Sequence, residues 1–192
     1  MVKKKKDSLS HISFTVLSLM SEEESHGYKI NKKIQDRGMR HWTNIGQSSI
    51  YSVINGLEAE NYVESYTEEV DNRTRKVYKI TDKGITILKK KVKTVLSNFI
   101  GRNDENFYIA YSMLPFISEE EVIKAFNNSL NNIKTQKKEL EKMLEENSHM
   151  PLNVRGLFVH PIKILQTDIE FLEWTLEEIK KGGGNIKSKI HS

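Results

Sequence analysis

The sequence predicts a mainly α-helical protein with one small β-hairpin set among the helices. Three observations carry that prediction. Apolar residues recur at helical spacing through most of the 192 residues. One stretch, Tyr62 to Ile80, is instead rich in β-formers and is split by the turn signal Asp71-Asn72. The last long segment places Phe158, Ile162, Leu165, Ile169, Leu172, Leu176 and Ile179 at alternating steps of four and three, a heptad seam.

Taken in order, the chain starts with a basic arm, Lys3 to Lys6. Such a run either is simply solvated or lies along phosphates and adds salt-dependent affinity. The first helix spans Ser8 to Met20, with Leu9, Ile12, Val16, Leu17 and Met20 as its stripe and Phe14 and Leu19 widening it. A helix this apolar belongs at a domain centre. Glu22 to Glu24 make a polar turn, with no His or Asp cluster that would turn them into a metal site. Ser25 is the expected cap of a second helix, His26 to about Asp36, which Gly38 ends. Ile30 and Ile34 face its core, while Tyr28 and Lys32 lie elsewhere. His26 has no partner in the sequence and reads as structural.

A third helix runs from about Gln47 to Glu60, with Ile50, Val53, Ile54 and Leu57 inward. Its other face carries Gln47, Ser48, Ser49, Ser52 and Asn55, which are short, uncharged and hydrogen-bonding. A face of that kind lets the backbone approach another molecule closely. Strands Tyr62 to Glu69 and Arg75 to Ile80 follow, with Arg73, Arg75, Lys76 and Lys79 on the loop and second strand. A small-faced helix followed by a basic hairpin is how a winged helix-turn-helix meets DNA. The helix reads base edges in the major groove and the wing touches phosphates. An ordinary α+β core with a solvated hairpin has the same spacing.

Three strings decide between those readings by resemblance. They are Ser25-His26-Gly27-Tyr28-Lys29-Ile30, then Trp42 with Ile45 through Tyr51, then Leu57 through Glu64. With Arg75 through Gly84 they resemble the PadR family of bacterial transcription regulators, in order and in spacing. Asn61 stands where many members carry Gly at the end of the reading helix, and Asn also tolerates the left-handed conformation. The resemblance implies a winged helix-turn-helix joined to a helical dimerisation domain. It also implies a dimeric repressor of nearby genes, sometimes released by a small aromatic molecule. Tyr28, Lys32, Gln47, Ser48, Ser49, Tyr51, Ser52, Arg73, Arg75 and Lys76 are the expected DNA-binding residues.

Thr81 and Asp82 open a long segment, Lys83 to Phe99 or Ile100, faced by Ile85, Leu88, Val92, Val95 and Phe99. The best domain boundary is 101–105, giving a DNA-binding domain at 1–100, a helical domain at 101–184 and an expected mobile tail at 185–192. Asn106 to Leu114 is a short helix holding Phe107, Tyr108 and Tyr111. Ser118 and Glu121 form a capping box for a helix reaching about Asn147. The last helix starts or bends at Pro161 and stops at Gly182. Its seam residues Ile162, Leu165, Ile169, Leu172, Leu176 and Ile179 are the expected dimer interface. Leu157, Ile164 and Phe171 lie on a second side. By resemblance, Tyr108, Tyr111, His160 and Trp174 are the candidate lining of an effector pocket between the domains.

Composition narrows the function classes. Residues 1–100 hold 18 Lys and Arg against 12 Asp and Glu, and residues 101–192 hold 12 against 14. Only the first half is suited to a polyanion. There is no cysteine, which excludes disulfides and Cys-ligated zinc and fits a reducing cytoplasm. No apolar run approaches a membrane span and no signal peptide precedes Ser8. No nucleophile–base pair, phosphate-binding glycine loop or metal-ligand set is visible, so neither an enzyme nor a cofactor is expected. The leading function is a homodimeric, sequence-specific DNA-binding repressor. The alternatives are a winged-helix module that binds protein and a regulator of the MarR type.

Overall fold

Helix α1, His11–Met20, forms where the sequence is most apolar, and every residue from Phe14 to Met20 is buried. Ser10 caps it, accepting from the Ser13 N–H. The buried hydroxyls of Thr15 and Ser18 donate back to the carbonyls of His11 and Thr15. The computed structural model describes residues 9–41, 49–70, 73–99 and 105–182. The basic arm, Gln47, Ser48, the turn Asp71-Asn72, residues 100–104 and the tail lie outside them.

Ser25–His26 is a two-residue strand, β1, and not the start of a helix. Helix α2, Gly27–Asp36, begins after it with no side-chain cap. Ser25 Oγ donates to the Glu23 carbonyl instead of capping, because its backbone is already paired to the wing. Gly38, with φ 61°, ends the helical stretch as expected. Helix α3, Ser49–Ala59, buries Ile50, Ile54 and Leu57. It closes with Asn61 at φ 57°, the Tyr62 N–H donating to the Leu57 carbonyl and the Asn61 N–H to that of Glu58. That is a Schellman motif, with Asn in the place of Gly.

Strands β2, Val63–Val70, and β3, Arg73–Ile80, pair antiparallel from Val63 opposite Ile80 to Val70 opposite Arg73. β1 adds to the other edge of β3, so the sheet has three strands in the order β1-β3-β2. Thr81 then caps helix α4, Asp82–Ser97, its hydroxyl accepting from the Gly84 N–H.

The chain divides into two compact units. One comprises residues up to 92 with 108–113, and the other comprises 93–107 with 114–190. Helix α5, Glu105–Ser112, contributes to both. In the second unit, helices α6, Glu119–Glu146, and α7, Leu152–Lys180, pack along each other. The Ser118–Glu121 capping box is present in full.

Pro161 does not start α7, since the helix begins nine residues earlier, at Leu152. A proline inside a helix forfeits one backbone bond, and the apolar seam that runs past it keeps the helix in place. The seam itself is not an open face. Leu165, Ile169, Leu172, Leu176 and Ile179 are buried within this single chain, and Ile162 is half-buried. The buried side of α6 consists of Val122, Ala125, Phe126, Leu130 and Ile133. Two helices with matching apolar stripes bury each other first, and a heptad pattern does not state whose chain supplies the partner. The apolar side chains that α7 leaves exposed are Leu152, Leu157, Val159, Ile164 and Trp174. Among the described residues, no helix is long and apolar enough to cross a membrane.

Candidate nucleic-acid interface

The first unit builds a concave surface where α2, α3 and the wing meet. A cleft of about 460 Å³ is lined by His26, Gly27, Tyr28, Tyr51, Arg75, Lys76 and Tyr78. Four of the expected DNA-binding residues, Tyr28, Tyr51, Arg75 and Lys76, therefore come together from three elements. Tyr28 and Tyr51 are 61% and 54% exposed while framing the cleft. An aromatic ring that ends in a hydroxyl suits a partly wet polar surface.

Local packing sets Tyr51. A Cβ placed on Gly27 would lie 2.6 Å from Tyr51 Cε1, so only glycine lets this ring lie against the start of α2. His26 locks the same corner to the wing. Its Nδ1 is 3.2 Å from the Lys76 carbonyl and its Nε2 is 3.3 Å from a Glu68 carboxylate oxygen. Its ring stacks on Tyr28 at 6.3 Å. β1 supplies the backbone part of the lock, with Ser25 opposite Tyr78 and His26 opposite Val77.

The exposed face of α3 carries Tyr51, Ser52, Asn55, Gly56 and Ala59, all uncharged. Ser52 lines a separate groove of about 400 Å³ toward α1, with Ser10, Ser13 and Gly56 among its walls. It is therefore not brought into the Tyr28–Tyr51 cleft. Ser49 lies in the first turn of α3. Lys32 is exposed on α2, one turn beyond Tyr28. Arg73 opens β3.

Several charges beside α2 and the wing are paired. Arg37 grips Glu22 through both guanidinium nitrogens, at 2.5 and 2.7 Å. Lys33 reaches Glu22 and Glu23, and Lys29 reaches Glu23 at 3.0 Å. Hydrogen bonds from Lys33 and then Lys29 hold the Glu23 carboxyl down at about 2. Tyr66 Oη donates to Glu24 at 2.7 Å, and Lys79 lies 3.4 Å from the same carboxylate. Lys76 is bound to Glu58 at 2.9 Å and sits 5.0 Å from the Tyr78 ring centre. Arg75 and Lys32 have no ion pair among the described residues. No group of three or more His, Asp or Glu that could hold a metal occurs among the described residues.

The sequence does not single out Tyr78 or Glu58 for this surface and offers His26 no partner, while Gly27 reads as a site of close helix packing, which Tyr51 of α3 provides. The small residue at the start of α2 was the one available signal.

The four effector candidates are distributed over both units. Tyr108 and Tyr111 belong to the first, His160 and Trp174 to the second. His160 and Trp174 stand fourteen residues apart on one continuous helix, which is about 21 Å of rise. One small aromatic molecule does not touch both. Within the second unit, Phe99 and Phe107 stack at 3.9 Å, Phe171 meets Phe107 edge-on at 6.1 Å, and Trp174 follows Phe171 at 5.9 Å. The run ends in solvent, because Trp174 is 53% exposed.

Comparison with known proteins bears on this geometry. Residues 16–90 match the model of the transcriptional regulator PadR-like family. No curated protein matches the chain. Among solved structures the chain is similar to a transcriptional regulator from Clostridium thermocellum, with 32% identity over 44% of this chain and 79% of that one and a TM-score of 0.39. It is also similar to PadR of Bacillus subtilis in complex with operator DNA, at 20% identity over 88% and 99% of the two chains, TM-score 0.42. The same protein in complex with p-coumaric acid is 19% identical over 89% and 99%, TM-score 0.40. The matched segment runs from within α1 to within α4 and so contains the whole cleft. With that match, and 32% identity over most of the Clostridium thermocellum regulator, the chain belongs to the PadR-like family of transcriptional regulators.

Proposed function

We propose that this regulator is a homodimer that binds double-stranded operator DNA through α3 and the wing, and that it represses transcription until a small aromatic effector releases it. The observation that supports DNA binding best is the cleft. It joins two exposed tyrosines, one of them on the uncharged face of α3, to Arg75 and Lys76 of the wing. Residues 1–100 are the reading domain and residues 101–184 the pairing domain. On the DNA, α3 lies in the major groove, and Gln47, Ser48, Ser49, Tyr51 and Ser52 are the proposed contact residues. Tyr28 and Lys32 support it from α2, and Arg73 and Arg75 take phosphates. Duplexes recovered by the purified protein from a random pool, titrated with parent and Arg75→Ala, test this. A fall in affinity on every duplex, with the salt slope reduced by about one unit, is the expected result. Recovery of no preferred sequence overturns the reading.

Pairing falls to the outward side of α7, because the seam is occupied within the protomer. Leu157 and Ile164 are 73% and 40% exposed there. Leu157→Lys is expected to give monomers by sedimentation with the melting temperature unchanged. Leu172→Lys is expected instead to unfold the second unit, since Leu172 is fully buried. For the effector, exposed Trp174 at the end of the aromatic run is the surface on which a planar ring would stack. Phenolic acids titrated against tryptophan emission in Trp42→Phe, in parallel with DNA release, test it. Release of DNA without a change in Trp174 emission places the effector elsewhere. A reporter gene under the recovered operator distinguishes repression from activation.

A further inference from the structure

Glu58 looks like a solvated residue in the last turn of α3, yet its carboxylate joins three elements. Ser65 on β2 donates its hydroxyl proton to one oxygen. Lys76 on β3 donates to the other at 2.9 Å. Those two strands pair with each other, Ser65 opposite Tyr78 and Thr67 opposite Lys76. One carboxylate on the reading helix thus holds both strands of the wing at its base. The Ser65 hydroxyl, and then Lys76, keep its carboxyl below the usual carboxylate range. Lys76 is also held by the Tyr78 ring, 5.0 Å away. Its neighbour Arg75 lines the same cleft with no ion pair among the described residues. Two adjacent cations on one strand are therefore in different states, one engaged and one available.

We propose that Glu58 is a positioning residue of the DNA interface, which docks the wing on the reading helix and occupies the Lys76 ammonium. This rests on the DNA-binding reading above. A free lysine at the cleft adds affinity by releasing counterions from any phosphate, whatever the sequence. A lysine held by Glu58 steadies the wing instead, and leaves more of the affinity to contacts that depend on the groove. Glu58 in this way sets the ratio of specific to non-specific binding without touching a base.

The test uses the full chain with a duplex selected by the parent protein and a scrambled duplex, by fluorescence anisotropy across a salt series. Glu58→Gln still accepts from Ser65 but releases Lys76. Its plot of log Kd against log salt is expected to steepen by up to about one unit, and the selected-to-scrambled ratio to fall several-fold. Lys76→Gln is expected to leave the slope close to the parent's, because that charge is already engaged. Glu58→Gln combined with Lys76→Gln should return the slope to the parent value. An unchanged slope in Glu58→Gln, or the loss of a full unit in Lys76→Gln alone, overturns the proposal while DNA binding stands. A parent that shows no salt-dependent duplex binding overturns the DNA reading itself. In the free protein, Glu58→Ala is expected to speed amide exchange on β2 and β3 around Ser65 and Lys76. Exchange at the parent rate overturns the docking role.

Discussion

Gly27→Ala tests the proposed contribution of Tyr51 to DNA binding with a single methyl group. The backbone accepts alanine at the first residue of α2, and helix propensity favours it by roughly 0.4–1 kcal/mol over glycine. The new Cβ would meet Tyr51 Cε1 at 2.6 Å, Cδ1 at 3.2 Å and Cζ at 3.4 Å. Ordinary contact between carbons needs about 3.5 Å or more, so the ring must move by roughly 1 Å. Tyr51 is more than half exposed, so it can swing aside at a rotamer cost of about 0.5–1.5 kcal/mol. These terms oppose one another, and the melting temperature should change little. DNA affinity should change more. A displaced hydroxyl at the reading face forfeits a contact worth about 1–3 kcal/mol, or roughly 5- to 150-fold. Gel-shift titration of Gly27→Ala, Tyr51→Ala and the double variant forms a cycle. The double variant should be no weaker than Tyr51→Ala alone. Parent-like affinity in Gly27→Ala, or additive losses in the double variant, would refute the claim that the glycine acts through Tyr51.

Gly84→Ala should behave differently, because its Cβ would lie 2.1 Å from the Tyr62 carbonyl oxygen and 2.7 Å from Ile80 Cγ1. Backbone cannot step aside, so thermal unfolding should show a loss of about 3 kcal/mol, and a melting temperature like the parent's would contradict this packing. Glu23, held at about 2, has a folded value below its unfolded one. Its contribution is full above about pH 4.3 and is lost as pH falls toward 2, but its exposure limits it to a few tenths of a kcal/mol. Acid melting curves of Glu23→Gln should be flatter than the parent's in that window. Asp168 has the opposite sign. Burial raises its carboxyl and its Oδ2 is buried without a partner, so its charge costs stability above its raised value and the cost fades below about pH 3.9. Asp168→Asn should be more stable than the parent at pH 7, by up to about 1 kcal/mol given its partial exposure. A less stable variant would mean that the charge is compensated.

Periodicity revealed the long elements because each one buries a single stripe. The capping box at Ser118 and the left-handed Asn61 were legible for a similar reason, since each answers a local backbone need. What escaped was non-local. Ser25–His26 is too short to show any alternation, and it becomes a strand only because β3 offers a free edge. Pro161 signals a break locally, while the seam continuing on both sides of it outweighs the one lost bond. The seam was visible as a pattern, but its partner was not, because an intramolecular helix and a second protomer present the same apolar surface. Around the cleft, Tyr28, Tyr51 and Arg75 were singled out from residue type and position, and the fold brings them together. Gly27 acts only through the ring that rests on it, and Glu58 through two strands that follow it in the chain, so neither role leaves a mark on the residue's own neighbourhood.

The charge balance of the first half illustrates the same point and qualifies what it can do. A count of basic over acidic residues treats every cation as available to DNA. In the fold, Lys29, Lys33, Arg37 and Lys79 are committed to Glu22, Glu23 and Glu24 beside the start of α2, and Lys76 is committed to Glu58. Most of these pairs are exposed and weak in stability terms, Lys33–Glu22 being the more buried one. Each nevertheless keeps an ammonium or guanidinium near a carboxylate that would also face an approaching phosphate, so its net electrostatic pull on DNA is small. Around the cleft the uncompensated cations among the described residues are Arg75 and, one turn beyond Tyr28, Lys32. A surface of that kind attracts a duplex modestly and leaves discrimination to the uncharged face of α3. The salt slope of specific binding should therefore follow the few free cations of each chain and not the basic residue count, because only phosphates newly neutralised on binding release counterions.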